Sequence, residues 1–172
     1  MDHMAAMTTA PWAAARVQQL TPDDWQILRD IRLRALAEAP SAFGATLTQA
    51  RTRTEQQWRS RLTERAVFVA TLDDTAIGTI AATADPDHDA AHLISTWVAP
   101  EARASGVADR LVRTAIAWAT STGYTSIRLE VSDGNIRAER LYRRHGFTRT
   151  GRHGIISPDD PRPEFEMTLT LR

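Results

Sequence analysis

Apolar residues in this chain follow two rhythms, one of helical spacing and one of every second position. Trp25, Leu28, Ile31 and Leu36, with Arg32 among them, share one helical face. Thr21-Pro22-Asp23-Asp24 precedes them as a helix start. Thr21 can cap free amides, Pro22 suits a first turn, and the two acids favour the positive end of the helix. Pro40 closes the run. Thr54 and Gln57 have capping-box spacing and open a second helix through Trp58 and Leu62. A short strand, Arg16 to Leu20, is expected ahead of both.

The rhythm then changes. Ala66 to Thr71 and Thr75 to Ala84 read as strands joined by a turn at Asp73-Asp74. Ala91 to Ala99 reads as a third strand, beyond the breaker cluster Asp85-Pro86-Asp87-His88-Asp89. After it, helices and strands alternate. Gly106 to Thr122 is an amphipathic helix with Val107, Leu111, Ala115, Ile116 and Ala119 on one face. Ser126 to Val131 is a strand, and Asn135 to His145 a helix that Gly146 ends as a left-handed cap. Thr148 to Gly154 and the alternating Phe165, Met167, Leu169 and Leu171 form a closing pair of strands. This order specifies one α+β domain over residues 16–172, a sheet flanked by helices, after a loose segment over residues 1–15.

Composition narrows the chemistry. With 172 residues and 42% apolar content the chain suits one domain with a continuous core. Its 21 basic and 21 acidic residues balance, so charge gives no reason to expect a nucleic-acid or membrane partner. No run is long and apolar enough to span a bilayer, and residues 1–15 lack the pattern of a signal peptide. Cysteine is absent, which removes thiolate chemistry and is compatible with the cytoplasm. Lysine is absent too, so all 21 basic residues are arginine. A P-loop and Schiff-base chemistry are thereby excluded. None of the five histidines forms a metal-ligand pair at helical spacing, so no metal is expected.

Two segments carry candidate chemistry. In the first, a strand ends at Trp97-Val98 and a helix begins near Gly106. The first amides of a helix lack internal partners and carry partial positive charge. Ala104, Ser105, Gly106 and Ala108 are small and would let an anion approach them, with Arg103 beside the loop. An ordinary strand-to-helix turn is the alternative reading. In the second, Asn135 stands at a helix start and Tyr142 lies two turns on, with Ala138 on the same face. Asn135 as a plain helix cap and Tyr142 as a half-buried core residue are the alternatives.

Together the segments resemble the GNAT N-acetyltransferase family. Its signature is Arg or Gln, two residues, Gly, one residue, then Gly or Ala. Arg103-Ala104-Ser105-Gly106-Val107-Ala108 matches it. Asn135, the Leu141-Tyr142 pair and Gly146-Phe147 match the second element, one helix and one strand later. Ala104 stands where many members have glycine, and a modified loop with negative φ is expected there.

The resemblance implies a mostly antiparallel twisted sheet with one splayed parallel strand pair. It implies acetyl-CoA as donor, with the pyrophosphate over Arg103, Ala104, Ser105, Gly106, Val107 and Ala108 and the pantetheine arm along Trp97 and Val98. Asn135, Ala138 and Tyr142 complete the donor site. The Val98 amide is the candidate oxyanion donor, and Tyr142 the acid for the leaving thiolate. Glu130 is similar in place to a glutamate base of the ribosomal-protein alanine acetyltransferases, with His92 and Ser95 as alternatives. An exposed strand glutamate paired with Arg128 or another arginine is the structural alternative for Glu130. The acceptor amine, a protein N-terminus or a small molecule, would sit between residues 35–47 and 153–164. Phe43, in the first of these with Glu38, is a candidate to line an apolar pocket or a loop anchor, and the acids Asp159, Asp160 and Glu164 are candidates to attract the amine or are simply solvated. A non-catalytic acyl-CoA-binding or sensing domain is the rival reading, and homodimers are common in the family.

Overall fold

The computed structural model describes residues 11–86 and 89–172, so Asp87 and His88 of the breaker cluster lie outside the described residues. A meander starts the sheet. β1 (Arg16–Gln19), β2 (Ala66–Leu72), β3 (Thr75–Ala84) and β4 (Ala90–Val98) pair antiparallel in that order. Asp73 and Asp74 turn β2 into β3 with left-handed φ of 47° and 61°, a region that aspartate tolerates better than most residues. β5 (Ser126–Ser132) joins β4 in parallel, and the hairpin of β6 (Thr148–Ser157) and β7 (Asp160–Thr170) adds to its far side. The final order is β1-β2-β3-β4-β5-β7-β6, with one parallel pair among antiparallel neighbours.

Helices cover both faces. α1 (Trp25–Glu38) follows a 3-10 turn at Pro22–Asp24, where the sequence suggested one continuous helix. α2 (Leu47–Arg51) was not anticipated. Its Thr46 and Gln49 form a capping box like that of Thr54 and Gln57 at the head of α3 (Glu55–Glu64). α4 (Val107–Thr122) crosses from β4 to β5, and α5 (Ile136–Arg144) follows β5. Trp97 reaches Glu38 of α1, while Gly78 faces α4. A Cβ on Gly78 would lie 3.0 Å from Leu111 and 3.1 Å from Val107, so glycine lets α4 seat close on the sheet. α1 and α3 therefore lie on one face and α4 on the other.

The core between these layers includes Trp58, Phe147, Leu111 and Met167, all fully buried. Each such side chain contributes about 1.5–3 kcal/mol by leaving water. The expected loose segment over residues 1–15 falls mostly outside the described residues. Its described part is packed: Pro11–Ala14 form a 3-10 turn and Ala15 is buried. Arg110 of α4 explains this, donating to the carbonyls of Trp12 and Ala15. Among the described residues no helix is long and apolar enough to cross a membrane.

Candidate functional site

The parallel pair is short. β4 and β5 are in register only at Ala90 with Ser126, Ala91 with Ile127 and His92 with Arg128. Just beyond, Ser95 takes a left-handed φ of 57° and the register with β3 slips between Thr79 and Ala81. Such a bulge bends its strand and raises its twist. β4 thus turns away from β5 and a gap opens between them. Ala99 N–H donates to the Ile77 carbonyl on β3, so alternation aims the backbone groups of Val98 toward the gap.

Tyr142 stands at this gap. Its hydroxyl donates to Thr96 Oγ1 at 3.1 Å, and its ring meets Phe147 edge-on at 5.6 Å. Burial pushes the phenol above its ordinary pKa of 10.0, so it stays protonated at neutral pH. Neither partner role, the Thr96 contact least of all, was legible in the sequence.

The loop before α4 keeps a left-handed turn despite its alanine. Ala104 has φ 58°, which corrects the expected negative value. The left-handed conformation costs an alanine about 1–2 kcal/mol relative to its preferred regions. Gly106 follows at φ 86° as the N-cap of α4 and has no side chain with which to cap. Ser105 Oγ donates to the Ala102 carbonyl and accepts weakly from Val107 N–H at 3.4 Å. The amides of Ala108 and its neighbours thus head the helix among small residues.

Arg103 is not a loose charge beside this loop. It donates to Glu38 at 2.8 Å and to the Val98 carbonyl at 3.2 Å. Trp97 donates its indole N–H to the same Glu38 oxygen at 2.9 Å. These two bonds hold the Glu38 carboxyl below its usual range. The Trp97 side chain is buried, and its backbone, by the same alternation, pairs with β3. Asn135 caps α5 through the Ala138 amide at 3.1 Å, and Ala138 is half-buried beneath it.

Glu130 finds a different partner from the one expected. His92 Nε2 lies 2.5 Å from Glu130 Oε2, across the parallel pair where it begins to part. That hydrogen bond raises the His92 pKa above 6.5 against the opposing effect of burial. Arg128 instead bridges Asp85, at 2.6 Å, and Glu166. Glu130, Glu164, Glu166, Arg152 and His153 line a cleft of about 330 Å³ beside the terminal hairpin. Burial, then the Glu130 charge, pushes the Glu164 carboxyl up. Asp160 is held by Arg162, which also donates to the Ser41 carbonyl and ties the hairpin to the loop after α1. Among the described residues no group of three or more His, Asp or Glu is placed to hold a metal ion.

A parted parallel pair, a helix start of small residues and a buried tyrosine together define an acyltransferase-like site. The model of the acetyltransferase (GNAT) family matches residues 25–147, and the chain belongs to that family. It is 32% identical to N-acetyltransferase 8B of Rattus norvegicus over 101 residues, which is 55% of this chain and 46% of that protein. The chain thus spans about half the length of this curated relative. Its fold is similar to that of a GNAT acetyltransferase from Streptococcus pneumoniae, with TM-score 0.77, 19% identity, and coverage of 92% of this chain and 99% of that one. It is also similar to the PaiA N-acetyltransferase of Thermoplasma acidophilum in complex with coenzyme A, with TM-score 0.71, 16% identity, and coverage of 92% and 99%.

Proposed function

We propose that this chain transfers the acetyl group of acetyl-CoA to a primary amine by direct attack. The observation that supports this best is the gap between β4 and β5, which runs from the open head of α4 to the His92–Glu130 pair with Tyr142 beside it. The residues fit an extended phosphorylated thiol. Ala104, Ser105, Gly106 and Ala108 leave room for a pyrophosphate on the amides heading α4. The edge of β4, which Trp97 anchors to β3 and α1, offers the backbone groups of Val98 to an extended arm. Asn135 and Ala138 flank it from α5. A thioester supplies an activated acyl carbon whose leaving group is a stable thiolate.

The residues then divide the work. The Val98 amide donates to the thioester oxygen as charge grows on it. Glu130, oriented by His92, takes the proton of the acceptor ammonium, directly or through water. The freed amine forms its bond to the acyl carbon as the carbon–sulfur bond breaks. Tyr142, protonated because it is buried, gives its proton to the departing sulfur, and the second proton that the nitrogen loses on becoming an amide restores the phenol. His92 and Glu130 thus act as one pair.

Titration of the full chain with acetyl-CoA, beside ATP, tests the reading. Micromolar binding of acetyl-CoA with little ATP binding, followed by amine-dependent thiol release, is the expected result. Absence of acetyl-CoA binding overturns it. Binding with slow thioester hydrolysis that no amine accelerates would favour a sensing domain.

A further inference from the structure

A small cavity lies on the α1–α3 face of the sheet, outside the gap. Its volume is about 30 Å³, and its lining includes Arg32, Arg61, Arg65, Trp58, Thr79 and Ser95. One water needs roughly 10–15 Å³ by this measure, so the space admits a group of two oxygens. Arg32 is 9% exposed, and its Nη1 has no hydrogen-bond partner. Its guanidinium stacks on Phe43 at 4.4 Å. Arg53 lies close by over Trp58, with its own Nη1 unpartnered.

Among the described residues no carboxylate forms an ion pair with any of these four arginines. The acid that acts on them is the exposed Glu64, which partly offsets the effect of the others on Arg61. Burial and mutual repulsion bring both Arg32 and Arg61 down to about 10. An uncompensated buried cation is costly, and a buried polar group without a partner calls for one. What this cluster lacks is an anion.

Its position says whose anion. Ser95, in the lining, is the left-handed residue of the β4 bulge. His92 lies a few residues along the same strand, on the order of 10 Å away. His92, Glu130 and the arginine cavity all occupy the α1–α3 face. The two ends carry complementary demands, carboxylates at one and guanidinium groups at the other.

We propose that the acetyl acceptor carries an oxyanion, a carboxylate by size, which seats in this cavity against Arg32, Arg61 and Arg65 while its amine lies at Glu130. The proposal rests on the acyl-transfer reading above and adds the class of acceptor. The two ends lie too far apart for an α-amino acid, so a short peptide with a free C-terminal carboxylate or an ω-amino acid of similar span meets it, and an aminoalkyl phosphate of that length presents the same chemistry in a larger group.

The first arm of the test is thiol release from acetyl-CoA with ω-amino acids and di- and tripeptides, each beside its own C-terminal carboxamide, and with aminoalkyl phosphates of matching length. The amine of a carboxamide loses its proton more readily, so chemistry alone favours the amide. Acids are expected to exceed their amides at least tenfold in kcat/KM, and phosphates to exceed the acids only if the cavity widens. R61M should abolish the preference and R61K retain part of it, with acetyl-CoA binding unchanged in both. Amides that match their acids, or a preference that survives R61M, would overturn the proposal.

The second arm needs no acceptor. Formate, compared with chloride at equal ionic strength, should raise the Tm of the wild type but not of R32M or R61M. R32M alone should melt no lower than wild type, because it removes an unpaired buried charge. Equal responses to formate in all three, or none in the wild type, would also overturn it. Failure of acetyl-CoA to bind the wild type would instead sink the acyl-transfer reading and leave the formate arm standing.

Discussion

Two clusters of charge share the α1–α3 face of the sheet and are built on opposite plans. Around β5 and β7 most charges meet an opposite: Arg128 lies between Asp85 and Glu166, and His92 meets Glu130, while Glu164 faces the like charge of Glu130. Between α1 and α3 four arginines meet one another and aromatic rings. The first plan is largely satisfied within the chain, with a surplus of carboxylate at Glu164. The second is complete only with something added. Paired burial holds a fold together, and unpaired burial of one sign marks where a molecule from outside is expected.

The comparison breaks most easily at Arg128. R128M leaves the carboxylates of Asp85 and Glu166 without their bridge, both of them well buried, and should cost about 3 kcal/mol in urea unfolding. R32M, at a similarly buried arginine, should change stability by less than about 1 kcal/mol. Equal losses in the two variants would mean that both clusters are structural.

Next in size come the proton-transfer groups. E130Q and Y142F should each lower kcat about a hundredfold, while acetyl-CoA binding is retained. Only E130Q should also reshape the pH–rate profile, and H92A should shift it in the same direction if the two residues act as a pair. A profile unchanged in either variant removes that residue from the base.

A104G lies outside both clusters and serves as a control. It should raise unfolding free energy by about 1 kcal/mol, since glycine takes φ 58° without the alanine penalty. Kinetic preference between acids and amides should not move with it.

The smallest effect is the pH dependence of stability. His92 holds its proton more tightly folded than at its ordinary value of 6.5. Its contribution is therefore complete below that pH and is lost as the pH rises through the higher folded value. Both partners are about a third exposed, with side-chain values of 31% and 32%, so the wild type should lose under about 1 kcal/mol across that window. The fall should be flatter in E130Q in the same melts.

The half of the molecule built on α4 and α5 was readable because its signals are local. Gly106 at a helix start, the stripe from Val107 to Ala119 and the Asn135–Tyr142 spacing all lie within single elements. Thr46 and Gln49 carried the same kind of signal and were passed over, because the five-residue helix they open has too little apolar pattern to announce itself. The His92–Glu130 bond was hidden for another reason. Both residues had been singled out, as rivals for one role, and only strand register shows that they touch. The arginine cavity was the least visible. Arg32, Arg53, Arg61 and Arg65 come from three stretches of chain, and in a chain whose basic residues are all arginine none of them stands out.

The bulge at Ser95 has a consequence for how such a site can be lost. Removing that one residue would let β4 run on straight beside β5, while the pairs on either side, Ile94 with Ala81 and Trp97 with Thr79, kept their register and faces. The strands would then zip together over the gap in which the proposed reaction takes place. A protein could keep Tyr142, Glu130 and the whole α4 loop and still have no doorway, because the opening is made of surplus backbone and not of any side chain.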